Sequence, residues 1–188
     1  MDLLDPVSRF CGEVLPANSI FAFLHDRRLG RRGPGRDHPP RAAVCTIRYI
    51  RYEQTIATRA AQARAWDALT AVTTWPLWTK SIEEVRPLDG RDLTLGHRFR
   101  IKQPGMPPLV WRVSAVRDGE SFTWETRSPG VRTSGFHRLA TNPDGTTQIT
   151  IGVDQTGPLA GLLNVLMGGK TRRFLALEAA GLKAASEQ

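Results

Sequence analysis

Two histidines are the side chains best placed, by type and spacing, to move protons. If residues 96–103 and 131–140 are strands, alternation turns His97 and His137 to the same side as Phe99, Ile101 and Leu139, and sends Arg98, Arg100 and Lys102 to the other. An imidazole titrates near neutrality and suits the general acid/base work that ring closure and dehydration require. The acids offer no inward pair, because Glu53, Glu83, Glu84, Asp118, Glu120 and Glu125 fall on outward positions or in turns. Two histidines on separate strands have no third ligand in register, so no metal is expected. The chain has no GxSxG turn and no GxxxxGK[ST] or GxGxxG loop, so neither a serine elbow nor a phosphate cradle is expected, and no cofactor is implied.

Trp75, Trp78, Trp111, Trp124 and Phe99 carry a second kind of chemistry. Each ring can bury roughly 150–250 Å². Such rings serve as core anchors in a packed interior, or as the wall of a cavity where small residues do not fill the space between them. The proline-stiffened loop Pro104–Pro108 would stand at the mouth of that cavity.

These residues need a frame, and the sequence spells one out. Ile47 to Ile56 reads as a long first strand with Ile50, Tyr52, Gln54 and Ile56 on one face. Ala60 to Thr73 reads as a helix with Ala65, Leu69 and Val72 sharing a side and Trp66 at its edge. Pro76 disfavours helical geometry at Trp75 and allows a second short helix after it. Six strands follow: 81–88, 96–103, 109–117, 121–127, 131–140 and 146–155, punctuated by Asp-Gly and Pro-Gly turns. Tight turns join antiparallel neighbours, so the pattern is a meander with one apolar face. Gly157 to Ser186 closes the chain as a long amphipathic helix. From Leu159, the residues Leu162, Leu163, Leu166, Met167, Phe174, Leu177 and Ala184 fall within an arc of roughly 140°. That stripe is expected to face the sheet. Gly168-Gly169 interrupts it at about 1 kcal/mol per glycine, which calls for a bend or a close approach in compensation. A phase change there would account for Leu175 and Leu182 lying outside the stripe.

The chain has 188 residues, enough for one domain with a core and a tail. Its net charge of +8 is concentrated, with six arginines against Asp37 between Arg27 and Arg41, among prolines and glycines. Residues 1–44 therefore read as a basic, solvated arm, and residues 45–188 as the folded domain. No aromatic residue is interleaved with those arginines, so nucleic acid is not the expected partner; contact with nucleic acid or a membrane surface through the arm is the outlying reading. The start, with Asp2 and Asp5, lacks a basic leader, and no run of apolar residues is long enough to span a membrane; a cytoplasmic protein with free thiols at Cys11 and Cys45 is expected.

The order strand, helix pair, six strands, long helix resembles the helix-grip fold of the START-like (SRPBCC) superfamily, and in particular its polyketide cyclase/dehydrase branch. The residues that carry the resemblance are Ala65-Trp66-Asp67-Ala68-Leu69, Trp75-Pro76-Leu77-Trp78, Gly96-His97-Arg98-Phe99, Trp111-Arg112-Val113, Gly145-Thr146-Thr147, and Leu182-Lys183 with Glu187. It implies an α+β domain in which a curved seven-strand antiparallel sheet wraps a C-terminal helix. It also implies a pocket between the two for a small hydrophobic or aromatic, lipid- or polyketide-like ligand. On that reading the wall is Trp75, Trp78, Phe99, Trp111, Trp124, His137, Leu163, Met167 and Phe174. The alternative is an enzyme that cyclises or dehydrates a poly-β-ketone with His137 as acid and base. The sequence does not specify an oligomeric state.

Overall fold

Alternation of apolar and charged residues sets the sheet. In a computed structural model, which describes residues 48–188, seven strands pair antiparallel in the order β1-β7-β6-β5-β4-β3-β2. They are β1 Arg48–Thr58, β2 Glu84–Pro87, β3 Arg98–Lys102, β4 Leu109–Arg117, β5 Ser121–Ser128, β6 Val131–Thr141 and β7 Thr147–Gly157. Three α-helices and one 3-10 turn, Val72–Thr74, complete the domain: α1 Gln62–Thr70, α2 Trp75–Trp78 and α3 Ala160–Ser186. This is the α+β helix-grip architecture expected from the sequence. Residues 1–44, read above as an arm, and Cys45 beyond them lie outside the described residues.

Register brings the apolar positions into rows across the sheet. Phe99 stands opposite Trp111, Val113 opposite Trp124, Trp124 opposite Gly135, and Phe122 opposite His137, which faces Ile151 on its other side. All of these side chains except the glycine's are buried on one face. Residues of opposite parity such as Arg98, Arg100 and Arg112 are exposed on the other face.

The connection into α3 is pinned to the turn between β5 and β6. Gly157 has φ 128° and lies so close against the carbonyl of Gly130 that a Cβ would collide with it. The Leu159 amide donates to the same carbonyl at 3.1 Å. The helix therefore begins at Ala160, two residues beyond Pro158, rather than at the proline. A second local correction concerns Trp75, which is helical (φ −52°, ψ −40°) and opens α2 with Pro76 in the first turn, where a missing N–H costs nothing.

The face that α3 buries is not its leucine stripe. Ala160, Gly168, Leu175, Glu178, Ala179, Leu182 and Ser186 are buried, and this face is centred roughly 140° around the helix from the stripe. Leu162 and Leu166 are exposed, as is Ala184. No phase change at the glycines is needed, since one face runs the whole length. Gly168 is accounted for by close approach: Tyr52 crosses from β1, and a Cβ at 168 would lie 2.6 Å from its hydroxyl. That hydroxyl bonds the Asn164 side chain one turn back.

Candidate functional site

Between the concave face and the N-terminal half of α3 lies a cavity of about 480 Å³. That is within the range of ordinary small-molecule sites. Its floor is made by Trp111, Trp124, Ile151 and His137, and its roof by Leu163, Met167 and Phe174 of α3. The mouth is framed by three segments: the β3–β4 loop with Met106 and Pro107, the β5–β6 turn at Pro129, and Leu159 with Leu162 and Leu166 of α3. Lys170 spans that mouth, donating to the carbonyl of Gly105 at 3.2 Å while its ammonium sits 5.5 Å from the Phe174 ring centre.

A glycine shapes the floor. Gly135 occupies the inward row between Trp124 and Val153, and a Cβ there would meet Nε1 of Trp124 at 2.5 Å. Without a side chain at 135 the indole lies over the strand, and the space beyond it stays open. Gln103, Thr126, Thr133 and Gln155 add scattered polar groups to an otherwise apolar wall.

Two titratable side chains line this cavity, and they are bonded to each other. His137 on β6 places Nε2 2.7 Å from Oε1 of Glu178 on α3, and the two side chains are 3% and 9% exposed. The imidazole stacks on Phe122, with centroids 4.3 Å apart and planes 11° from parallel, and the Trp75 ring lies 5.3 Å away. With the carboxylate ionised, Nε2–H is the donor. Nδ1, buried and without a partner, then holds either a lone pair or a second proton. Such a pair holds the ring in one orientation beside the cavity, with Nδ1 turned away from open space.

The structure thus gathers six of the nine expected wall residues at the cavity: Trp111, Trp124, His137, Leu163, Met167 and Phe174. Trp75, Trp78 and Phe99 belong to the core behind it. Trp75 is fully buried, donates to the Leu69 carbonyl at 2.9 Å and backs onto both Trp124 and His137, with centroids 5.2 and 5.3 Å away. Trp78 packs on Gly181 of α3, and Phe99 is fully buried opposite Trp111. His97 is not inward. β3 begins one residue later, and the His97 ring turns onto the preceding loop, against Gly90 and within 3.1 Å of the Asp92 carbonyl oxygen.

Glu178 was missed by the sequence reading. It is the one acid between Gly157 and Leu182. It sits three residues after Leu175 and four before Leu182, on the face that the leucine stripe had drawn attention away from.

A curved antiparallel sheet gripping a C-terminal helix around an apolar cavity defines a protein of the helix-grip class. The sequence places it more narrowly: residues 49–187 match the family described as polyketide cyclase / dehydrase and lipid transport, and the chain belongs to that family. A comparison with curated proteins gives no match. Among solved structures, the Zhui aromatase/cyclase of Streptomyces sp. R1128 superposes with a TM-score of 0.61 at 16% identity, covering 74% of this chain and 94% of that one. Norcoclaurine synthase of Thalictrum, crystallised with a transition state analogue, gives 0.63 at 10% identity over 76% and 96%. The hypothetical protein jhp0584 of Helicobacter pylori gives 0.61 at 15% identity over 87% and 99%. At these identities the likeness is one of fold. Among the described residues, no helix is long and apolar enough to cross a membrane.

Proposed function

We propose that the protein binds a small hydrophobic or aromatic molecule in the cavity between sheet and α3, with the one polar end of that molecule set against His137. The observation that carries this reading is the pairing of an apolar cavity of about 480 Å³ with a single buried His–Glu pair in its wall. Apolar walls supply affinity without direction, and one hydrogen-bonding point supplies orientation. A phenol, an enol or a carbonyl would reach the unpartnered Nδ1 through a small turn of the ring, since that atom has no surface open to the cavity.

A second reading rests on the same pair. A histidine held by a buried carboxylate is equipped to take a proton from carbon next to a ketone and to return it to an oxygen leaving as water. This is cyclase or dehydratase chemistry on a poly-β-ketone.

Native mass spectrometry of the protein purified from its own host tests the first reading. A co-purifying apolar or aromatic molecule, displaced stoichiometrically by anilinonaphthalene sulfonate, is the expected result. A mass equal to the bare chain, with no uptake of the dye, overturns it. His137→Gln separates the two readings: turnover of a poly-β-ketone falls about a hundredfold or more if the ring moves protons, and dye uptake changes little.

A further inference from the structure

The N-terminal half of α3 has an outer face as well as a roof. Leu162, Val165 and Leu166 are 57%, 79% and 69% exposed, and Leu159 is 46% exposed at the same end. A single exposed leucine needs no account, but four large apolar residues on adjacent turns beside an open cavity do.

Charge around this face is arranged with equal bias. The segments that frame the mouth, residues 102–109, 127–133 and 155–177, contain no Asp or Glu at all. They contain Lys102, Arg127, Arg132, Lys170, Arg172 and Arg173. Lys102 and Arg132 are paired with Glu83 and Glu125, from outside those segments. On α3, Lys170, Arg172 and Arg173 have no carboxylate partner among the described residues; Lys170 donates to the Gly105 carbonyl and Arg172 lies over the Tyr52 ring, 5.2 Å from its centre. Arg172 and Arg173 follow Val165 and Leu166 by seven residues, about two helical turns, and so continue the same face.

We propose that this face docks on an anionic lipid bilayer, with Leu162, Val165 and Leu166 in the boundary between headgroups and acyl chains and Arg172 and Arg173 on lipid phosphates. An apolar helix face continued by arginines without carboxylate partners complements a surface that has phosphates above and hydrocarbon beneath. A second copy of this chain complements it poorly, because two such cationic faces would repel each other. Docking brings the cavity mouth to the bilayer, so an apolar guest passes between them without crossing water. That last step rests on the cavity being a ligand site; the docking itself does not.

Flotation of the full chain with vesicles of phosphatidylcholine, with and without phosphatidylglycerol, tests the proposal. The protein rises with the anionic vesicles, less as salt is added, and stays behind with phosphatidylcholine alone. Residues 1–47 carry arginines of their own, so the deciding variant leaves them intact. Val165→Glu combined with Arg173→Glu lies outside the cavity wall, and it lowers the bound fraction about tenfold while dye uptake in solution and the thermal midpoint stay as in the parent. Failure of the dye assay in the parent would remove the ligand reading and leave the docking result standing. The docking proposal is overturned if the parent does not float, or if parent and variant float equally. It is also overturned if light scattering finds a dimer that Val165→Glu alone dissociates.

Discussion

His137 and Glu178, forty-one residues apart in sequence, meet at 2.7 Å in a place that water does not reach. One is fixed by the sheet and the other by the helix, so the bond ties the two layers together at the cavity wall. Removing one partner strands the other. Glu178→Leu is expected to destabilise the fold by about 3 kcal/mol, whereas Glu178→Leu with His137→Phe regains most of the loss, because a buried pair replaced whole leaves no orphan. Urea unfolding of the two singles and the double measures this. Additive losses would mean that the pair is not coupled.

Adjacent glycines in α3 have opposite expected behaviour. Gly168→Ala drives a methyl into the Tyr52 hydroxyl and should cost about 1–3 kcal/mol. Gly169 faces open space, with nothing within 4 Å of a built Cβ, so Gly169→Ala should stabilise by roughly 0.5–1 kcal/mol. Thermal melts of both variants decide the matter, and a loss at 169 would contradict the helix register.

Wall and core residues separate by what their substitution changes. Met167→Trp fills the roof of the cavity, and should weaken dye uptake about tenfold, or ~1.4 kcal/mol, with a smaller effect on stability. Trp75→Ala removes a fully buried ring behind the floor and should cost about 3–5 kcal/mol of stability. Titration of the dye alongside denaturant unfolding for both variants checks the contrast.

Strong acid should loosen the C-terminus of α3. The Arg59 amide, then Lys183 and Thr58, bond Glu187 and hold its carboxyl down to about 2, from an ordinary value near 4.5. A carboxyl lowered by folding contributes its stability above the unfolded value, and that contribution is lost as the pH falls from about 4.5 towards 2. Glu187→Gln should therefore lower the thermal midpoint at pH 7, and the difference from the parent should vanish near pH 2. A difference that persists unchanged at low pH would dissociate Glu187 from the effect.

Much of the fold was legible because strands announce themselves twice, once by alternation and once by their turns. Leu109–Arg117 ends where Asp118-Gly119 demands, and Phe122, Trp124 and His137 face inward as their parity requires. Depth was not legible. Trp75 and Trp111 look alike in sequence, yet one lies behind the floor and the other forms it. The helix misled for a related reason. A stripe of leucines normally marks a buried face, but here the buried face is made of small residues and Glu178, because Tyr52 and the α2 backbone approach it closely, at Gly168 and at Gly181. His97 failed by one residue of strand length.

One continuous helix does two jobs along its length: from Leu175 onward it seats the core, and up to Phe174 it roofs a space that the core does not need. Its two halves are consequently free to diverge at different rates. Exchanging Leu163 or Met167, or reshaping the two hairpin tips that meet them, would retune which guest is accepted without touching the keel, so a single scaffold could be re-specified for new molecules one side chain at a time.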